Sequence, residues 1–306
     1  RKEAFWGLLF VSPWIIGFLV LTAGPMLASV VLAFTQYNGL QEAHWVGWKN
    51  FEDVAVHDRG LLVKAFSNAF YLAGIGVPLG LVTGLSLALL LNVSVRGIAA
   101  FRTLFMLPSI VPGVATVVLW VWILAPDPRM GLANGLWSVT LGPWFGLQPP
   151  AWTASEEWAK PALILMGLWG AGGGVIVWLA GLKGVPRELY EAAEIDGANS
   201  WESFWSITAP LIRPAMIPAI IIGMTLTFNQ FSVIYFISGG GPLHTTEILV
   251  TQAYRLVNEV TINLPGIGNV RPYGIAAAFA YIVFAVLATI TLITNRVSSA
   301  TQSYSD

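Results

Sequence analysis

The sequence predicts an all-α integral membrane protein of about six transmembrane helices, with a helix–turn–helix between the fourth and fifth. Three observations carry that prediction. The 306 residues are 56% hydrophobic and only 10% charged, with a mean hydropathy of +0.71, whereas soluble domains carry about 25% charged residues. Six predominantly apolar runs are each long enough for a helix to cross the hydrocarbon core. The 15 Lys and Arg and 16 Asp and Glu fall between those runs or at their margins, as they must where a charge at the centre of a bilayer costs about 2.5–3.5 kcal/mol.

The runs occupy residues 5–36, 66–92, 103–125, 161–181, 214–238 and 273–295, read as one transmembrane domain over 1–306. The first begins behind Arg1-Lys2 in the manner of a secretory signal, but its apolar stretch reaches Phe34. Signal cores run about 7–15 residues, so a retained helix is the expectation. With six spans both termini share a side. Placing them in the cytoplasm puts Arg1, Lys2, Arg96, Arg102, Lys183, Arg187, Arg213 and Arg296 in the inside segments. Their density there is close to twice that of the outside segments, which fits the positive-inside rule. The outside connections carry Trp45, Trp48, Trp137, Trp144, Trp152 and Trp158, either as an interfacial belt or in part as a docking surface.

Composition excludes several function classes. Low charge and high hydrophobicity exclude disorder. A net charge of −1 without a basic patch excludes nucleic acid as a partner. With no cysteine there are no disulfides, thiolate metal sites or cysteine nucleophiles. No metal site is expected. No phosphate-binding loop of the G-x-x-x-x-G-K-[ST] type occurs. The glycines of 170–174 lie inside an apolar span, where close helix packing or a local break is the expected role. Ion-driven carriers use ionisable groups inside the bundle; the span cores have none, and His44, His57 and His244 fall in outside loops. Transport energy is therefore expected from elsewhere, and membrane-depth catalysis lacks its acids and bases.

An uncharged interior suits a neutral, polyhydroxylated solute, which needs amides, hydroxyls and aromatic faces. The fifth span supplies Thr225, Thr227, Phe228, Asn229, Gln230, Phe231, Ser232 and Tyr235, with Gly223, Leu226/Thr227, Gln230 and Ile234 at helical spacing on one face. Such polar groups in an apolar run are costly unless paired; interhelical hydrogen bonds and a ligand site both satisfy that requirement.

The connection 182–213 carries the most specific signal. Pro186 and Glu188 suit a helix start, Leu189, Ala192, Ala193 and Ile195 give it an apolar side, and Gly197 suits its end. Trp201, Phe204, Trp205 and Ile207 then begin a second amphipathic piece. Glu188, Glu191, Glu194 and Asp196 make the first piece acidic, which anionic lipid would repel.

Glu191-Ala192-Ala193, Gly197 and Ile207-Thr208-Ala209-Pro210 resemble the EAA motif of membrane subunits of bacterial and archaeal ABC importers, with alanine at the usual leucine position. The stretches Thr227–Phe231, Gly239-Gly240-Gly241-Pro242, Thr246–Val250 and Tyr254-Arg255 are similar to the carbohydrate branch, and over 160–295 to the sugar-binding membrane subunits of maltose/maltodextrin importers. Residues 260–271 look inserted. The resemblance implies a transport subunit of the cytoplasmic membrane rather than an enzyme. It implies a second homologous permease, two ATPase subunits that bind ATP and Mg, and an extracytoplasmic solute-binding protein; this chain itself holds no cofactor. It places ATPase coupling at Glu191, Ala192, Ala193, Asp196 and Gly197. It places sugar contacts at Trp169, Gly170, Gly173, Gly223, Leu226, Thr227 and Gln230. Gly173 stands where the maltose subunit has an aromatic residue, Gly223 for a serine and Thr227 for an asparagine, which implies a roomier pocket for another oligosaccharide. A polyol or glycerol-phosphate-type solute moved by the same machinery, and a self-sufficient secondary transporter, are the alternatives.

Overall fold

The computed structural model describes residues 2–56, 59–93, 95–264 and 268–302. Arg1, His57 and part of the stretch 260–271 lie outside the described residues. The chain forms two compact units, Arg1–Val63 with Gln252–Val286 and Lys64–Thr251 with Leu287–Asp306. Among the described residues five helices are long and apolar enough to cross a membrane: Phe5–Ala33, Arg59–Leu91, Glu156–Lys183, Ser200–Ser238 and Tyr273–Ile293. They match five of the six expected runs.

In the first unit, α1 (Lys2–Phe18) passes through a π turn at Leu19–Ala23 into α2 (Gly24–Ala33). The 29 residues from Phe5 to Ala33 rise about 43 Å at 1.5 Å per residue, enough to span a bilayer. Two short strands follow, β1 (Thr35–Gln36) and β2 (His44–Trp45), paired antiparallel, and then α3 (Lys49–Val56). The buried Asn50 amide donates to the carbonyls of Ala33 and Thr35 at 2.9 and 2.8 Å, occupying acceptors that the end of a helix leaves open. Phe34 packs against Trp45, Trp48 and Phe51.

The second unit begins within α4 (Arg59–Leu91), which continues through Pro78. The expected third span, 103–125, is instead two helices, α5 (Ile98–Ile110) and α6 (Gly113–Ile123), bent by 95°. Pro112 lacks an N–H and drives the preceding residue out of the helical region; Val111 is extended at φ −63°, ψ 130°. The following connection holds α7 (Leu132–Val139) and α8 (Leu141–Phe145). Buried Asn134 donates to the carbonyls of Pro126 and Pro150 at 2.9 and 3.0 Å and accepts from the Trp152 indole at 2.8 Å. Trp137, Trp152 and Trp158 meet edge to face around it.

Ser155 caps α9 (Glu156–Trp169) by accepting from the Trp158 N–H. The fourth span then tightens into a 3₁₀ turn at Gly170–Gly174 before α10 (Val175–Lys183). That turn is where α5 packs: a Cβ on Gly172 would lie 1.8 Å from the Phe105 carbonyl oxygen, and one on Gly173 2.8 Å from Ser109 Cβ. Both expected roles of the glycine run, close packing and a local break, occur together. Leu91, Val175, Trp178, Leu182 and Ile212 lie in one buried cluster beside it.

After α10 come α11 (Arg187–Ile195) and α12 (Ser200–Ser203), whose start is a capping box of Asn199 and Glu202. A π turn at Phe204–Thr208 leads directly into α13 (Ala209–Phe228), then α14 (Phe231–Ser238). The second amphipathic piece is thus the beginning of the fifth span. That span is not one uninterrupted helix over 214–238: it breaks at Asn229-Gln230, where Gln230 has φ −74° and ψ 56°. α15 (Leu249–Asn258) leads to the paired strands β3 (Ile262–Leu264) and β4 (Gly268–Val270), and α16 (Tyr273–Gln302) ends the described chain.

Candidate functional site

Within the second unit, α4, α9–α10 and α13–α14 enclose a cavity of about 700 Å³. Close approach of α4 to the fourth span shapes it. Gly76 lies beside Ile164, and Gly84 lies against the Trp178 indole and near the Ala171 carbonyl. Since the residue numbers rise together, the two helices run parallel. Without side chains at Gly76 and Gly80, space remains for a ligand rather than for packing.

Five of the seven expected sugar contacts line this cavity: Gly170, Gly223, Leu226, Thr227 and Gln230. Two do not. The Trp169 ring turns away to meet Trp120 edge to face at 6.0 Å, and Gly173 is consumed by the packing of α5. Gln230 reaches the cavity by a different route from the one its spacing suggested. α13 ends at Phe228, so Gln230 sits at the break between two helices rather than on a continuous face. The Thr227 hydroxyl donates to Gly223 O at 2.9 Å and the Asn229 amide to Thr225 O at 2.8 Å. These hydrogen bonds stay within α13. They bind no second helix, and they leave the Thr227 oxygen and the Asn229 Oδ1 as acceptors.

Ser232, one of the polar groups expected of the fifth span, also lines the cavity, and so does Trp178, which nothing in the sequence had marked. A tryptophan inside an apolar run has no distinguishing signal; only the absent side chain of Gly84 opposite reveals that its indole is placed. None of the lining residues is ionisable, and no group of residues suited to a metal ion occurs among the described residues. The cavity can therefore take up a neutral part of a solute through hydroxyl, amide and indole groups, and cannot itself neutralise a charge.

A second surface lies on α11. Glu191, Ala192, Asp196 and Gly197 are exposed and Ala193 is half-buried. The helix stops by a Schellman motif: Gly197 at φ +81° donates to Glu194 O at 3.1 Å and Ala198 donates to Ala193 O at 2.9 Å. The Arg187–Glu191 ion pair, at 3.8 Å and exposed, adds little. Ile195 is 87% exposed and Trp201 69% exposed, leaving apolar side chains beside four acids. On the other side of the turn, Tyr190 and Ile207 pack against the buried cluster of Leu182, Val185 and Ile212.

Comparison with known proteins fits this geometry. The family model described as the inner membrane component of binding-protein-dependent transport systems matches residues 76–297. A probable ABC transporter permease of Bacillus subtilis, YesP, is 34% identical over 303 residues, covering 98% of this chain and 92% of that protein. The trehalose/maltose transport system permease MalF of Thermococcus litoralis is 28% identical over 298 residues, covering 97% and 94%. Among solved structures, a bacterial alginate ABC transporter in complex with an alginate pentasaccharide-bound periplasmic protein aligns with a TM-score of 0.77 at 27% identity, over 97% of this chain and 95% of that one.

Proposed function

Because the chain belongs to the family of binding-protein-dependent transport system inner membrane components, we propose that it is the sugar-translocating permease subunit of an ATP-driven importer, with the cavity between α4, α9–α10 and α13–α14 as its saccharide site. The observation that carries this reading is the cavity itself. About 700 Å³ holds more than a monosaccharide, and its lining offers Gln230, Asn229, Thr227, Ser232 and Trp178 without a charge. Ligand sites of this kind combine apolar walls with a few placed polar groups. The trehalose/maltose permease and the alginate transporter among its relatives support a saccharide.

In this reading the chain sits in the cytoplasmic membrane with both termini inside, beside a second, homologous permease. An extracytoplasmic binding protein delivers the saccharide, and two ATPase subunits bind ATP and Mg. α11 is the part that meets an ATPase, through Glu191, Ala192, Ala193, Asp196 and Gly197 and the exposed Ile195 and Trp201. Movement of α11 has a physical route to the cavity. Tyr190 is hydrogen-bonded to Thr208, Thr208 leads into α13, and α13 carries Gly223, Leu226 and Thr227. A packed chain of this kind can pass two discrete arrangements from one site to another. Closure of the ATPases would then tilt α13 against α4 and α10 and expose the cavity to alternate sides.

The test is uptake into proteoliposomes holding the whole importer and its binding protein, with ATP enclosed. Accumulation of labelled di- to pentasaccharides that needs ATP and the binding protein is the expected result. Accumulation of a polyol or glycerol phosphate in place of saccharide, or uptake independent of ATP, would overturn the reading.

A further inference from the structure

The cavity has one end that its uncharged lining does not describe. Tyr71 on α4 precedes the lining residue Leu72, and Lys160 on α9 stands one turn before Leu163 and Ile164, which also line it. The Lys160 ammonium lies 4.9 Å from the centre of the Tyr71 ring, a cation–π distance. Lys64, two turns before Tyr71 on the same face of α4, donates to the Leu243 carbonyl, and its charge is close enough to act on Lys160. Because α4 and the fourth span run parallel, the two lysines stand at the same end of these helices, before Leu72 and Leu163 with which the cavity lining begins, and both are half-buried.

Nothing among the described residues neutralises them. Neither forms an ion pair with a carboxylate. The one buried acid among the described residues is Glu247, whose carbonyl accepts from Asn68 and whose carboxylate is engaged by His244 Nδ1. Glu156 and Glu157, in the first turn of α9, are exposed and make no ion pair with Lys160. Two like charges held together, partly out of water, repel unless an anion joins them.

We propose that Lys64 and Lys160 form an anion-binding collar at this end of the cavity, and that the saccharide it admits carries a carboxylate, as a uronate-containing oligosaccharide does. This rests on the saccharide reading of the cavity above. The sugar hydroxyls fall on the neutral lining, while the carboxylate takes the free donors of the two ammonium groups. Lys64 has two N–H left after Leu243, and Lys160 binds Tyr71 through its charge and keeps its N–H donors.

Equilibrium binding to the detergent-solubilised permease–ATPase complex, without the binding protein, tests this with two labelled probes, digalacturonate and neutral digalactose. The wild type is expected to prefer digalacturonate by about tenfold, the scale of one charge-assisted contact pair. That preference should collapse in the K64Q/K160Q double variant and persist in K64R/K160R. In the wild type itself it should shrink between low and high salt, since part-exposed charges are screened. Equal affinity for both probes, or a preference unchanged by salt and by K64Q/K160Q, would overturn the collar while leaving the saccharide site standing. Failure to bind either probe would overturn the collar, and uptake of the labelled di- to pentasaccharides would then decide the saccharide reading by itself.

Discussion

The hydroxyls of Tyr190 and Thr208 lie 2.7 Å apart, joining α11 to the π turn from which α13 rises. Thr208 is buried, and the Tyr190 ring packs on the cluster of Leu182, Val185 and Ile212. This hydrogen bond links the acidic helix directly to the turn that leads into the cavity-lining helix. Tyr190→Phe keeps the ring and removes the bond, leaving the Thr208 hydroxyl without its tyrosine partner. A stability loss of about 1 kcal/mol is expected. The larger expected effect is functional: saccharide-stimulated ATP hydrolysis falls several-fold while binding of saccharide to the complex is retained. Unchanged stimulation would show that α11 acts on α13 by another path.

Gly197 holds a φ of +81°, where a side chain costs about 1–2 kcal/mol. No atom crowds the position, so Gly197→Ala tests backbone conformation alone. It should lower the melting temperature of the complex slightly and weaken assembly with the ATPase moderately. Gly197→Asp and Glu191→Lys change charge on the exposed face as well. Both should abolish uptake and uncouple ATP hydrolysis while the protein remains in the membrane. Wild-type uptake and ATPase rates in the reconstituted complex would refute the coupling role of α11.

The glycine turn of the fourth span gives a sharper structural test. A Cβ at Gly172 would overlap the Phe105 carbonyl oxygen, a backbone atom that cannot swing aside, whereas one at Gly7 meets nothing within 4 Å. Gly172→Ala should destabilise the detergent-solubilised protein by about 1–3 kcal/mol, the range for overpacking. Gly7→Ala should be neutral. Thermal denaturation of the two variants side by side decides the matter, and equal midpoints would mean that α5 does not press on the turn.

The spans were legible because apolar runs and charge placement are properties of the chain itself, whatever packs against it. Gly197 was legible for the same reason: ending a helix with φ above zero is a local demand. The 95° bend was not. Pro78 and Pro108 lie inside helices while Pro112 breaks one, so proline alone did not say which would yield. What separates them is that α5 seats on the Gly170–Gly174 turn, a contact between distant segments. Gln230 was named for a continuous helical face, yet it lines the cavity because the helix stops two residues earlier. Trp169 came from the family resemblance alone, and the resemblance carries no information on which neighbour the ring meets; here it packs against Trp120. Lys64 and Lys160 each looked like an ordinary charge at the margin of a span. Only the parallel packing of α4 and α9 puts them at the same end of the two helices.

Asn134 anchors the connection between α6 and α9 through three hydrogen bonds, two donated and one accepted, and is 1% exposed. Removing its amide strands two backbone carbonyls and the Trp152 indole N–H. At about 1–3 kcal/mol for a buried group left unsatisfied, Asn134→Ala should be clearly destabilising, and Asn134→Asp more so, because it sets a buried carboxylate oxygen against the carbonyls of Pro126 and Pro150. If this connection also receives the solute-binding protein, the loss will appear as a weaker stimulation of ATP hydrolysis by that protein, beyond the fall in melting temperature. A variant that melts earlier but responds to the binding protein normally would confine Asn134 to holding the loop.

Gln230 decides whether the cavity is the saccharide site. It stands at the break between α13 and α14, where helix geometry no longer fixes the side chain against its own backbone, and its amide can both donate and accept. Gln230→Ala removes those groups without altering charge or the helix on either side. The expected result is a rise in the saccharide concentration needed for half-maximal uptake by about tenfold, equivalent to the loss of one or two hydrogen bonds to sugar hydroxyls, with basal ATP hydrolysis preserved. Leu226→Ala, on the apolar wall of the same cavity, should affect uptake less, because it withdraws packing but no hydrogen bond. Wild-type kinetics in Gln230→Ala with the transported sugar would move the site elsewhere. A loss of basal ATP hydrolysis would mean instead that the break at Asn229-Gln230 is a structural hinge of the cycle.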